Sequence, residues 1–331
     1  MGIFVFLPLV LPLSALQIAR LAEQHLHPRS ATRLLSAVGG VLALCSTLCL
    51  VLLVVVGTAQ LPGNPLPDGW SDPEVRAAVP YDEIAGKAAI GALAAVAVAC
   101  GGLLRRHFRV RRRAHEALAG LPGSPVAVLP DTRAYAYALP GTAEVPGRPG
   151  RIVVSRAMLS CLDAAERRAL IAHERAHLDA RHHRYVLAVQ LAARANPLLR
   201  PLRAAVAYCA ERWADEDAAL AVGDRRVVAR AVGKAALVAR HAPASTLLGF
   251  APAPTLPGSG PALLGFAVPG PVPRRVAALL GPVPPASGWP PAFTAVGLAA
   301  WTAAAGTAVS ALSSANAAVA LILVLTAATP L

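Results

Sequence analysis

Two stretches of this chain, Leu34–Val56 and Phe293–Leu325, contain no Asp, Glu, Lys or Arg, and a third, Ile84–Leu104, carries only Lys87. A helix of roughly 20 apolar residues is what the ~30 Å hydrocarbon core of a bilayer requires, so runs of this kind restrict the chain to few architectures. Hydrophobic residues make up 56% of the sequence and mean hydropathy is +0.54, too apolar for an ordinary soluble domain. Ile3–Ile18 is a fourth candidate span. It lacks a basic leader and a small-residue cleavage site, which argues against a signal peptide. The final stretch is too long for one perpendicular span, so it is either a tilted helix with an extension or a hairpin turning near Ser313-Ser314-Ala315-Asn316.

Charge sets the orientation. Arg105, Arg106, Arg109, Arg111, Arg112 and Arg113 follow the third span, whereas the loop before it holds Asp68, Asp72, Glu74, Asp82 and Glu83 against Arg76. The positive-inside rule places the arginines in the cytoplasm, together with Arg20, Arg29 and Arg33. Three crossings then give an external N-terminus. The expected organisation is a membrane domain over 1–104 (spans at 3–18, 34–56 and 84–104), a cytoplasmic domain over 105–291 and a C-terminal transmembrane segment over 292–331. The net charge of +13 does not point to direct nucleic-acid binding, because the densest basic cluster abuts a span, where headgroups and orientation explain it. Cys45, Cys49 and Cys100 lie in apolar stretches, and Cys161 and Cys209 show no disulfide framework, consistent with a reducing compartment.

Within 105–291 the chemistry is concentrated at His173-Glu174-Arg175-Ala176-His177. On a helix this H-E-x-x-H spacing puts two imidazoles on one face, one turn apart, where both can close on a Zn²⁺ ion with a carboxylate beside them to take a proton from water. The helix is independently supported: Asp163 and Glu166 form a capping-box pattern, and Ala164–Ala180 contains neither Gly nor Pro. Downstream, Glu211 and Asp215 are again four apart. Glu211 completes the ligand set and Asp215 suits the shorter task of orienting an imidazole. Asn196-Pro197 separates the two helices, the second of which can open at Pro201 and end near Gly223. Straight antiparallel helices would leave His177 and Glu211 roughly 9 Å out of level, so the first should break near Arg181-His182-His183-Arg184. His182 and His183 read first as a polar helix end, with a role as alternative ligands as the second reading. Cys209 is a small core residue rather than a ligand.

Val126–Leu129, Ala134–Leu139 and Ile152–Ser155 read as short strands, making a compact α+β unit. Ala134-Tyr135-Ala136-Tyr137-Ala138 alternates small and aromatic residues, and as an edge strand it can pair with an extended peptide; the tyrosines otherwise pack a core. Ala242–Pro273, rich in Pro, Gly and Ala, reads as a loop or flap.

Ala134–Gly141, Ile152–Ser155, Ala172–His177 with the following Arg181-His182, the E-x-x-x-D of Glu211 and Asp215, and Pro273–Leu279 together resemble the BlaR/MecR-like integral-membrane zinc metallopeptidases, and more distantly the HtpX-like membrane proteases. The resemblance implies an α-helical multi-pass membrane protein with an inserted α+β zincin-like (gluzincin) domain. It also implies one Zn²⁺ per chain and cytoplasmic cleavage of a protein or peptide substrate, a transcriptional repressor or the chain itself. The best-known members carry an external penicillin sensor after the last span; no such domain follows here, so antibiotic sensing is not carried over. His173, His177 and Glu211 are the expected ligands and Glu174 the general base. His182, Tyr135, Tyr137 and Arg275 are candidates for stabilising the oxyanion or binding substrate, and spacing does not choose among them.

Overall fold

The computed structural model describes residues 7–59, 67, 70, 82–141, 150–241, 272–284 and 293–327. Over its described residues, 7–18, the expected first span is not one helix. It is a single turn of α-helix, α1 (Leu7–Val10), a 3₁₀ turn over Leu11–Ser14, and an amphipathic helix, α2 (Ala15–His25). Pro12 has no N–H to continue an α-helical ladder, and Ser14 Oγ bonds back to the Leu11 carbonyl at 2.8 Å, so the backbone tightens there. Residues 3–6 of that expected span lie outside the described residues.

Two long helices follow, α3 (Pro28–Ala59) and α4 (Asp82–Ala117), and a third, α11 (Ala295–Ala327), ends the described chain. By length and composition these three can cross a membrane. The C-terminal stretch is thus one uninterrupted helix, not a hairpin. Its serines do not interrupt it because they are accommodated within the bundle: Ser310 and Ser314 are buried, and Ser314 Oγ lies 3.9 Å from Cys49 Sγ on α3. Helices α3 and α4 cross at two glycines. A Cβ on Gly86 would sit 2.4 Å from the Gly57 Cα, closer than any real contact, so the backbones meet where no side chain fits.

Between α4 and α11 lies the α+β unit. Strands β1 (Val126–Leu129), β2 (Ala136–Leu139) and β3 (Arg151–Ser155) are ordered β1-β3-β2, with β1 parallel and β2 antiparallel to β3. Alternation divides the sheet. Ala134, Ala136 and Val154 join a core with Met158, Leu162 and Leu170, whereas Tyr135, Tyr137, Leu139 and Val153 pack against Ala114 and Leu118 of α4. Helix α4 also grips the end of β2: His115 Nε2 lies 3.0 Å from the Pro140 carbonyl and Arg111 donates to the Gly141 carbonyl at 2.9 Å.

The remaining helices are α5 (Arg156–Ser160), α6 (Ala164–Asp179), α7 (His182–Ala195), α8 (Arg200–Val222), α9 (Arg225–His241) and α10 (Val272–Leu280). The capping box forms at Asp163 and Glu166, and Lys234 of α9 donates to the same Glu166 carboxylate at 2.8 Å. Helix α6 ends at Ala180–Arg181, where Arg181 adopts φ 55°, and α8 stops at Gly223 with φ 77°. Helices α7 and α8 pack along α3, placing Val189, Ala192, Leu199, Leu202 and Val206 against Leu35, Val38 and Leu42. Most of the expected flap, residues 242–271, lies outside the described residues.

The glycine crossing yields a paired test. Gly86→Ala should lower the thermal unfolding midpoint of the solubilised chain, by about 1–3 kcal/mol of overpacking. Gly91→Ala, on the same helix with open space around it, should raise stability by up to about 1 kcal/mol through helix propensity.

Candidate metal centre

His173 and His177, one turn apart on α6, turn their Nε2 atoms to within 3.0 Å of each other. Glu211 of α8 meets them from the opposite side, with Oε2 3.6 Å from His173 Nε2 and Oε1 3.5 Å from His177 Nε2. The break at Arg181 permits this, since it turns the chain between α6 and α7 and brings the two partners level. Each of the three residues offers one ligand atom, and these atoms lie within 4.8 Å of one another. Two imidazole lone pairs and a carboxylate converging in a buried space are a donor set for a divalent cation such as Zn²⁺.

Behind this set stands a buried charge network. Asp215 Oδ1 lies 3.1 Å from His173 Nδ1, the nitrogen facing away from the convergence point. Arg275 of α10 holds Asp215 with two bonds, Nε to Oδ2 at 2.8 Å and Nη2 to Oδ1 at 2.6 Å, and its Nη1 sits 2.8 Å from Glu211 Oε2. Burial alone would raise both carboxyl pKa values. Arg275 and the histidines outweigh it, holding Asp215 near 2 and Glu211 lower still. Burial likewise opposes a charge on His173, but Asp215 and Glu211 prevail and raise its pKa. Arg275 is therefore committed to the carboxylates, not aimed at an oxyanion.

The other candidates separate clearly. His182 is neither a ligand nor part of the reacting face: its Nδ1 lies 2.8 Å from His177 Nδ1, behind the ligand. Were His177 Nε2 to hold a metal, His177 Nδ1 would carry the proton and donate to His182 Nδ1. Burial depresses the His182 pKa and keeps that ring a neutral acceptor. Trp213 closes over it with ring centroids 4.5 Å apart, and the guanidiniums of Arg29 and Arg33, at the start of α3, lie 5.5 and 5.4 Å from the Trp213 ring. His183 is outside the ligand cluster, in an environment where burial and then Arg111 disfavour its protonation. Tyr135 and Tyr137 belong to the sheet face that packs on α4, away from the face carrying Ala136 and Val154 against α6. Their rings fill a core and do not serve the site. Cys209 is buried among the α2, α3 and α8 side chains.

Glu174 is fully buried; among the described residues its carboxylate oxygens make no side-chain hydrogen bond, and the Ala138 backbone N–H lies close enough to act on them. Burial raises its pKa to about 7, against the pull of His173, the Ala138 backbone N–H and Arg275. The proximity of Ala138 puts Glu174 beneath β2, which is an edge strand pairing only with β3 among the described residues. Two features were not anticipated from sequence: Trp213 as the cover of His182, and the Ala138 backbone beside Glu174. The alternating alanines of Ala134–Ala138 were the available signal for the second.

Comparison with known proteins gives one match. Residues 104–199 fit the model of peptidase family M48, a span from the end of α4 through the sheet, α6 and α7 that includes His173, Glu174, His177 and His182. No curated protein and no solved structure matches the chain. The match supports metallopeptidase chemistry, and the family is generally zinc-dependent.

Metal titration of three variants tests the layout. Glu211→Ala should abolish stoichiometric zinc binding, whereas Asp215→Ala should weaken it about 10- to 100-fold. His182→Ala should weaken it over the same range, and His182→Asn, which restores an acceptor oxygen behind His177, should recover most of the loss. Unchanged affinity in His182→Ala would remove its assigned part.

Proposed function

We propose that this chain is a membrane-embedded zinc-dependent endopeptidase that cleaves a protein or peptide on the cytoplasmic side, in regulated proteolysis of a repressor or of itself. The observation that carries this reading is the pairing of a three-residue donor set with a buried carboxylate next to it that has no side-chain hydrogen bond among the described residues. A site serving structure alone has no use for Glu174, because a buried carboxyl without a side-chain partner is costly. His173, His177 and Glu211 would hold Zn²⁺, and Asp215 and His182 fix the rings from behind. When bound, Zn²⁺ supplies a Lewis acid that polarises a peptide carbonyl and eases deprotonation of water. Glu174, with a pKa near neutrality, accepts the water's proton and returns it to the departing amine. The outer edge of β2, which pairs with no further strand among the described residues, offers backbone donors and acceptors to an extended substrate near Glu174.

The charge asymmetry across α4 supports the orientation, with Arg105–Arg113 and the site on the cytoplasmic side and the 60–81 loop outside. A quality-control protease acting on misfolded membrane proteins is the alternative within the same chemistry. A small winged-helix repressor encoded by a neighbouring gene would favour the regulatory reading.

Glu174→Gln separates binding from chemistry. Purified variant should keep about one zinc per chain and lose proteolysis by several orders of magnitude; cleavage near the wild-type rate would show that another group is the base. For topology, a reporter fused near His115 should behave as cytoplasmic and one near Asp68 as external. The reverse pattern would remove an intracellular substrate.

A further inference from the structure

We infer that the tip of the α7–α8 hairpin, Leu191–Leu199, is seated in the apolar layer of the leaflet nearest the site, so the peptidase unit is partly inserted into the bilayer rather than suspended beyond it. The inference rests on the proposal that α3 and α4 span the membrane. Their register supplies a depth scale. Gly57 meets Gly86, and Arg105, the first of the basic run, lies roughly 28 Å along α4 from that crossing at ~1.5 Å per residue. On α3 the same level falls near Val38. The hairpin is fixed below it at two points. Cys100 Sγ of α4 contacts the Leu191 carbonyl at 3.8 Å, and Asn196 Nδ2 donates to Ser46 Oγ of α3 at 3.0 Å. Cys100 is about 8 Å and Ser46 about 12 Å beneath the arginine level, within one leaflet of a ~30 Å core.

The turn is built for that surrounding. Backbone donors in lipid must be satisfied internally, and here they are: Asn196 N donates to the Ala192 carbonyl, Leu198 N to Asn196 Oδ1, Leu199 N to the Asn196 carbonyl and Arg200 N to the Pro197 carbonyl. Pro197 has no donor to satisfy. The polar Asn196 side chain is turned inward to Ser46, leaving Pro197 and Leu198, the latter 40% exposed, at the outer tip. Exposed Arg194 and Arg200 flank it. Their long apolar stems can run up the hairpin and deliver the guanidiniums to headgroup phosphates, as arginines near a membrane surface do. Leu202 packs on Gly39 at the arginine level, so Glu211, further along α8, is held roughly 14 Å above the leaflet surface.

The test uses the full chain in nanodiscs of phosphatidylcholine and phosphatidylglycerol at about 3:1, with a photo-crosslinking amino acid placed singly at Leu44, Leu198 or Leu220. All three positions are exposed; Leu44 faces outward on α3, and Leu220 lies at the far end of α8. Irradiation followed by mass spectrometry should give phospholipid adducts at positions 44 and 198 and none at 220. Adducts at 44 but not 198 would overturn the inference and leave the spanning helices standing. Absence at both 44 and 198 would overturn the membrane reading along with it.

Discussion

A guanidinium buried between two carboxylates makes the centre of this protein possible. Glu211 and Asp215 must be ionised and close to the histidines, yet Asp215 is fully buried and Glu211 largely so, and uncompensated charge there is costly. Arg275 supplies the compensation with a bidentate hold on Asp215 and a third contact to Glu211. That contact links α10 to α8, and through Asp215 and His173 it extends to α6. The three helices that define the site are therefore joined by the same charges that orient its ligands.

The site is also attached to the long helices at each end. From one side Arg29 and Arg33, at the start of α3, stack on Trp213, which covers His182, which in turn backs His177. From the other, Arg111 and His115 of α4 hold the end of β2, and β2 runs beside Glu174. A proposed metal ligand, His177, and the strand proposed to receive substrate, β2, thus each lean on a different candidate span. Displacing α3 against α4 would alter both.

Local patterns were legible in the sequence because their chemistry is local. The helix of His173 and His177 announces itself by its capping box, the E-x-x-x-D pair by its helical spacing, and the long helices by the absence of charge. The mismatch in level between His177 and Glu211 even located the break at Arg181. What the sequence did not carry was direction. Alternation in Ala134–Ala138 shows that the tyrosines and alanines face opposite ways, but the packing of Ala114 and Leu118 decides which face belongs to the site. His182 sits close enough in sequence to be a ligand, and only the left-handed residue before it places the ring behind His177. Arg275 is brought to Asp215 across 60 positions of chain, beyond any periodicity argument. The apolar content of Ile3–Ile18 suggested a span, but composition does not register how Pro12 interrupts a helix.

The central claim is that two imidazoles and one carboxylate of this chain form a zinc site. Zinc X-ray absorption on the purified full-length protein tests it most directly. The account predicts about one zinc per chain with nitrogen and oxygen neighbours near 2.0–2.1 Å, multiple-scattering features of two imidazoles and no sulfur shell. A sulfur neighbour near 2.3 Å, which would bring in a cysteine such as Cys209, or a protein that takes up no zinc, would contradict it.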